Sequence, residues 1–337
     1  MPTKNMTSLA ILETRLAAIV VRLFSSGTTI RNLRRLTGGA SRETWAFEAV
    51  PDGKPLPLIL RRAFGGDRRG EQAISLENEA LLVRLAHEAG VPVPKIHYVL
   101  QPQDELGSGF IAEFVDGETL GGKIVSDERF SQARRLLAFR CGEVLATIHR
   151  IPTTKLAMLA NISTETRLEE LYRRYRSLDP RPVFSLAFKW LREHIPPYSP
   201  SPRLVHGDFR NGNLLVGTDG LHAVLDWELA HVGDPVEDLG WICVGSWRFG
   251  KIDKPVGGFG TREDLLAGYR TGGGNPPGAD HLRFWEVFGS LNWGLMCATM
   301  TSVFRSGLDS SVERAMIARR ASETEIDLLT HILPQGY

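Results

Sequence analysis

Apolar positions recur with a helical period at the start of the chain, give way to short strand-like runs, and return to a helical period after residue 131. Between residues 7 and 24, Leu9, Leu12, Leu16, Ile19, Val20 and Leu23 fall on one face and predict an amphipathic helix. β-like segments follow at 32–36, 43–50 and 57–62, then VPVPKIHYVL, bounded by prolines, and GFIAEFVDG. A helix interrupts them over 76–89, with Leu82 and Leu85 on one face and Gly90 as its stop signal. Residues 131–149 place Leu136, Leu137, Cys141, Val144, Leu145 and Ile148 on a core stripe. His149 ends that helix and reads as structural, favoured there by the helix dipole. LEELYRRYRSL sets Leu168, Leu171, Tyr172, Tyr175 and Leu178 on one face, and FSLAFKWLREHI predicts a second helix after it. A capping-box-like start at Thr261–Asp264, a hydrophobic helix over 281–304 and a last helix opened by Ser322-x-x-Glu325 complete the pattern. Trp241, Trp247 and Phe249, near glycine-rich stretches at 257–260 and 271–274, read as loops able to act as a lid.

Composition narrows the class without choosing a function. A length of 337 residues suggests two lobes with ample core. Hydrophobic and charged fractions of 42% and 23% are ordinary for a globular chain, and a net charge of +1 gives no reason to expect nucleic acid or a membrane surface as partner. Cys141, Cys243 and Cys297 lie in apolar contexts without CxxC spacing, so they read as buried free thiols in a reducing compartment, the cytoplasm. No apolar run reaches the length of a membrane span, and Glu13 and Arg15 break any secretory apolar core near LAAIVV at 16–21.

The chemistry concentrates in residues 203–241. Two apolar runs, Leu204–Val205 and Leu214–Val216, flank the polar loop HGDFRNGN, and a third, Ala223–Leu225, leads into Asp226. The turn Thr218-Asp219-Gly220 between the last two predicts a hairpin, which brings the loop holding Asp208 and Asn213 beside the strand end carrying Asp226. An Asp, an Asn and a second Asp on adjacent loops suit a metal-and-base constellation. Mg²⁺ takes oxygen ligands from one or two protein groups and shares the rest with phosphates. Phosphoryl transfer needs a carboxylate to accept the proton of the attacking hydroxyl.

This ordered set resembles the catalytic core of the aminoglycoside phosphotransferase/choline kinase superfamily, relatives of the protein kinases. His206, Gly207, Asp208 and Asn213 match its HGD-x-x-x-x-N loop, Asp226 its downstream metal-binding Asp, and GDPVEDLGW most resembles a branch found alone in bacteria or fused to acyl-CoA dehydrogenases. The resemblance implies an α+β, protein-kinase-like bilobal fold: a small N-lobe with an antiparallel sheet over 1–115, and a larger, mostly helical C-lobe over 116–337. It implies an ATP- and Mg²⁺-dependent small-molecule kinase. In that reading Asp208 accepts the hydroxyl proton, Arg210 assists from within the loop, and Asn213 and Asp226 hold the metal.

The remaining residues follow from order along the chain. The family places its nucleotide-covering loop at Thr37–Thr44, so Gly39 and Ser41 are candidates for phosphate contact; a plain turn needing φ > 0 explains the glycines equally well. The cation on the third strand, usually lysine, is here Arg61 with Arg62 beside it, and strand alternation points only one into the cleft. Arg61 follows the apolar residue of the opposite face, and a guanidinium holds phosphate with a fork of donors. Glu79 best matches the glutamate paired with that cation, with Glu77 as the alternative. Glu113 to Val115 corresponds to the hinge whose backbone holds adenine. Glu228 alternates back toward the face of Asp226 and leaves a second metal open, while Asp234 and Asp238 suit bonds to loop amides or contact with a cationic acceptor.

The acceptor is a small-molecule hydroxyl, with a monomer or homodimer equally compatible. Arginines at 167–181 read either as a solvated basic face or as a wall for an acidic acceptor, and they suit a polycationic aminoglycoside poorly. A choline-type acceptor needs an aromatic cage. Likeness to the dehydrogenase-linked branch favours a hydroxy acid or hydroxyacyl thioester. The competing class is a nucleotide-binding pseudokinase, which the arginine in place of lysine permits and the full Asp208, Asn213, Asp226 set opposes. An aminoglycoside- or choline-type kinase is the other alternative.

Overall fold

The strand-like segments of the first third form a single antiparallel sheet. The computed structural model describes residues 3–36, 42–63, 73–196, 201–308 and 311–333. The chain divides into one unit of Met1–Asp116 with Leu225–Leu229 and another of Gly117–Val224 with Ala230–Tyr337.

The first unit holds α1 (Thr3–Leu23), β1 (Thr29–Leu36), β2 (Glu43–Val50), β3 (Leu56–Ala63), α2 (Leu76–Glu88), β4 (Ile96–Val99) and β5 (Ser108–Glu113). The strands lie in the order β1-β2-β3-β5-β4. Leu12, Leu16, Ile19 and Val20 of α1 bury against Phe47, Leu58, Leu60 and Ile111. Each such side chain contributes about 1.5–3 kcal/mol. Because side chains alternate along a strand, committing Leu58 and Leu60 of β3 to this core turns Ile59 and Arg61 to the other face. Ser75 caps α2, its hydroxyl accepting from the Asn78 amide, and the buried face of that helix carries Leu76, Ala80, Leu82, Val83 and, among these apolar groups, Glu79.

The second unit is mainly helical: α3 (Gly121–Ser126), α4 (Ser131–His149), α5 (Thr164–Tyr175), α6 (Pro182–Glu193), then β6 (Arg203–Val205), β7 (Leu214–Val216), β8 (Leu221–Val224) and β9 (His231–Gly233), followed by α7 (Val236–Trp241), α8 (Arg262–Thr271), α9 (Ala279–Arg305), α10 (Val312–Ala318) and α11 (Ala321–Ile332). α4 and α8 meet at glycines: a Cβ on Gly142 would lie 2.0 Å from the Leu265 carbonyl oxygen, and one on Gly268 1.9 Å from that of Phe139. The tyrosines of α5 pack on α6, with Tyr175 stacked on Phe188 at 5.2 Å. The expected hairpin is β7–β8, pairing Leu214 with Val224, whereas the first apolar run, β6, pairs with β9. Strand β9 is only three residues long, too short to show a period.

Two expectations from the pattern need correction. Trp241 closes α7 and Trp247 sits in a short turn of 3₁₀ helix, Gly245–Arg248, both buried, so neither belongs to an open loop. The stretch 256–260 is buried as well: the Gly257 amide donates to the Ile242 carbonyl at 3.1 Å, and a Cβ on Gly258 would lie 2.3 Å from the Arg248 carbonyl oxygen. Its glycines serve close packing, so it is no lid. Among the described residues no helix is long and apolar enough to cross a membrane.

Candidate active site

In the first unit, β3 and α2 bring Arg61 and Glu79 together, with Nη1 2.9 Å from Oε1. Arg61 Nη2 donates to Asp226 Oδ1 at 2.7 Å, and Glu228 Oε2 lies 3.7 Å from the same nitrogen. The segment carrying these two carboxylates is fastened by the Ile74 amide, which donates to the Glu228 carbonyl at 2.8 Å. Asp226 itself holds φ at +63°, a left-handed conformation rare for a residue with a Cβ. Arg62 turns the other way and pairs with Glu43 at 2.8 Å. Glu77 is exposed.

A second arginine completes this cluster. Arg42, nearly fully buried, sets Nη1 2.8 Å from Glu79 Oε2 and 2.9 Å from Glu228 Oε2, and its Nη2 donates to the Ile74 carbonyl at 2.8 Å. Two guanidiniums therefore face three carboxylates. Burial pushes the Glu79 carboxyl up, to about 7, against the pull of Arg61 and Arg42. Burial opposes the charge on Arg61, but Glu79 and Asp226 outweigh it and raise its pKa. Arg42 escaped the sequence reading as one letter of a turn. The available signal was register: Thr44 pairs with Arg61, and a residue two positions earlier continues the same strand face.

At the end of β5, the Glu113 amide donates to the Lys95 carbonyl and the Phe114 amide to that of Pro57, while the Val115 amide has no partner among the described residues. Gly39 and Ser41 lie outside the described residues.

In the second unit the loop 206–213 runs from β6 to β7. Asp238 of α7 anchors its start: Oδ2 accepts from the His206 amide at 2.8 Å and Oδ1 from the Gly207 amide at 3.0 Å. The His149 ring lies between Asp238 Oδ2, at 3.1 Å, and the Tyr269 hydroxyl, at 2.9 Å, a structural post at the end of α4. His206 is buried, and its Nδ1 accepts from the Asp208 amide at 3.2 Å. The Asp208 carboxylate is clamped from three sides: Oδ1 accepts from Arg210 Nε at 2.9 Å and Trp241 Nε1 at 2.8 Å, and Oδ2 from Asn213 Nδ2 at 2.6 Å. Asn213 Nδ2 also donates to the Asp208 carbonyl, and Oδ1 of the same amide has no partner among the described residues. Asn211, further along the loop, donates to the Gly257 carbonyl at 2.7 Å.

Trp241 is the second residue that the sequence reading missed. Asp238 and Trp241 stand three apart on one helical face, so a helix over VEDLGW aims both at the loop. Of the arginines of 167–181, Arg173 and Arg176 are exposed, while Arg167, Arg174 and Arg181 are engaged by other side chains. Arg167 is buried in an ion pair with Glu237, Arg181 lies 3.1 Å from Glu325, and Arg174 donates to the Asn292 side chain at 3.1 Å.

Asp234 serves packing, accepting from His281 Nε2 at 2.6 Å and Trp285 Nε1 at 3.0 Å.

Known proteins resemble this chain in sequence and fold. The chain is 25% identical over 287 residues to acyl-CoA dehydrogenase family member 10 of Mus musculus, covering 80% of this chain and 26% of that protein. It therefore spans about a quarter of the curated relative's length. Among solved structures, an aminoglycoside phosphotransferase described as putative, from Ralstonia eutropha, superposes with a TM-score of 0.75 at 21% identity, covering 95% of this chain and 97% of the other. A thermostable mutant of the aminoglycoside phosphotransferase APH(4)-Ia, in ternary complex with ADP and hygromycin B, superposes with a TM-score of 0.63 at 15% identity over 96% and 99% of the two chains. These likenesses give the kinase-like fold. Residues 32–279 match the phosphotransferase enzyme family, and the chain belongs to that family.

Proposed function

We propose that this phosphotransferase moves the γ-phosphoryl group of ATP, with Mg²⁺, to a hydroxyl of a small molecule, a hydroxy acid or hydroxyacyl thioester. The observation that carries the reading is the Asp208 carboxylate, oriented by Trp241, Arg210 and Asn213. A carboxylate so held positions an attacking hydroxyl and takes its proton, and positioning with charge neutralisation dominates this chemistry. Arg210 adds positive charge beside it. The donor types also fit the ion: Asn213 Oδ1, without a partner among the described residues, and the Asp226 carboxylate are hard oxygen ligands of the kind that Mg²⁺ takes. The bound Mg²⁺–nucleotide supplies the transferable phosphoryl group and neutralises its charge.

Within 1–115, the nucleotide-binding lobe of this reading, Arg61 contacts phosphate, Glu79 fixes Arg61, Gly39 and Ser41 line the covering loop, and the backbone at Glu113 and Val115 holds the base. The free Val115 amide suits that last role. Residues 116–337 carry the loop and the acceptor site. ADP in the complex of the solved relative supports the choice of nucleotide. The dehydrogenase relatives support the acid or thioester acceptor. Three buried, unpaired cysteines fit a cytoplasmic setting.

Calorimetry of ATP binding with and without Mg²⁺, on wild type and Asp226→Asn, tests the reading. Binding that needs both the ion and Asp226 supports it, and Asp208→Asn should then bind ATP but transfer nothing. Binding indifferent to both means a pseudokinase. No binding by the wild type refutes the nucleotide site.

A further inference from the structure

Beside Asp208 stands a wall of tryptophan. Trp241, Val244 and Trp247 form one buried cluster with Trp293 of α9 packed against it, the Trp241 and Trp247 rings 5.3 Å apart and those of Trp247 and Trp293 4.8 Å. The Trp241 N–H is committed to Asp208. Those of Trp247 and Trp293 are buried with no partner among the described residues. Trp247 is only 4% exposed. A buried N–H without an acceptor is costly, so the two indole N–H groups of one cluster call for oxygen from a bound molecule.

The ring faces decide which molecule. The Arg210 guanidinium lies 4.6 Å from the Trp247 ring centroid, and that of Arg320 5.8 Å from the Trp293 centroid. A box for a quaternary ammonium needs open aromatic faces, and here both already carry a cation. The charge is limited too. Arg210 is shared with Asp208, Arg320 with Glu323 at 3.2 Å, and Arg248 Nη2 donates to the Cys243 carbonyl. That balance suits one negative charge better than two.

We propose that the Trp247–Trp293 cluster seats the carboxylate of a monoanionic, hydroxylated acceptor, with the two indole N–H groups giving direction, Arg210 giving charge, and the acceptor hydroxyl directed to Asp208. This rests on the reading of Asp208 as the group that meets the attacking hydroxyl.

The test follows the tryptophan indole ¹H–¹⁵N resonances of the full chain, with Trp247 and Trp293 assigned from Trp247→Phe and Trp293→Phe, which keep a ring and remove the N–H. The probes are the ω-hydroxycarboxylates from 3-hydroxypropanoate to 6-hydroxyhexanoate, the diols of equal length, and choline. The hydroxycarboxylates should shift both resonances to saturation while diols and choline do not, and Trp247→Phe should weaken their binding about tenfold with ATP affinity unchanged. Equal shifts by choline or the diols, no shift by any probe, or unchanged affinity in Trp247→Phe would each overturn the proposal. ATP binding on the same samples separates the two claims. If it needs Mg²⁺ and Asp226 while the indoles stay silent, the seat is wrong and the kinase reading stands; if ATP does not bind, the kinase reading falls first.

Discussion

Replacing Arg42 by methionine isolates what the second arginine does. Methionine matches the length of the stem but removes the contacts at 2.8 Å to Glu79, 2.9 Å to Glu228 and 2.8 Å to the Ile74 carbonyl. Breaking one side of a buried ion pair costs about 3–5 kcal/mol when the partner is left alone. Glu79 keeps Arg61, which argues for the lower end, and the orphaned carbonyl adds about 1 kcal/mol. The expected loss is about 3–4 kcal/mol. Arg42→Lys carries the charge without the fork and should recover about half of it. Urea unfolding followed by fluorescence reads these values, and the double variant Arg42→Met with Glu228→Gln should lose less than the two single losses combined, because both act on one network. A loss below about 1 kcal/mol for Arg42→Met, or strict additivity in the double variant, would refute the reasoning.

Three other outcomes follow from the geometry. Asp238→Ala strips the His206 and Gly207 amides and the His149 ring of their shared acceptor; it should cost about 3–5 kcal/mol and reduce transfer at saturating ATP, measured by denaturation and ADP release. Gly142→Ala drives a methyl into the α8 backbone and should lower the unfolding midpoint by more than an ordinary core substitution does, whereas Gly90→Ala, which meets nothing within 4 Å, should register only its backbone strain at φ +85°. The third concerns pH. Burial raises the Glu237 carboxyl, but Arg167 and His231 outweigh it and hold it at about 2. A carboxylate depressed in the folded state adds stability that is complete above the ordinary value near 4.5 and is lost as pH falls through about 2, a contribution of about 3 kcal/mol. Glu237→Gln should flatten the acid limb of the stability curve in that window, and an unchanged limb would count against the depressed value.

The fold was largely legible because its elements announce themselves locally. The spacing of Leu12, Leu16, Ile19 and Val20 reports one buried helix face, and the short apolar runs between turns report the strands of the sheet. The loop motif was legible for a similar reason: Asp208, Arg210 and Asn213 lie within six residues, and their side chains meet one another. What stayed hidden was long-range. Arg42 reaches Glu79 and Glu228 across spans that no window of sequence covers. Trp241 was misread because VEDLGW is a single short helix whose period is barely sampled, although its indole is one of the three groups holding Asp208. The stretch 256–260 misled in the opposite direction, since glycines demanded by tight packing carry the same letters as glycines of an open loop.

The membership of Leu225–Leu229 in the first unit has a consequence for synthesis. Arg42, buried, and Arg61, half-buried, emerge early with Glu79, but the carboxylates of Asp226 and Glu228 that complete their neutralisation leave the ribosome about 110 residues after Asp116. At about 5–20 residues per second, that interval lasts roughly 5–20 s. During it the Arg42–Arg61 cluster carries an excess of positive charge, and the Ile74 amide lacks its backbone acceptor. The sheet and α1 can collapse first, since their core is local to the early chain. The Arg42–Arg61 cluster cannot settle until the hairpin following the loop has been made, so the first part of the chain to be translated is completed by one of the later ones.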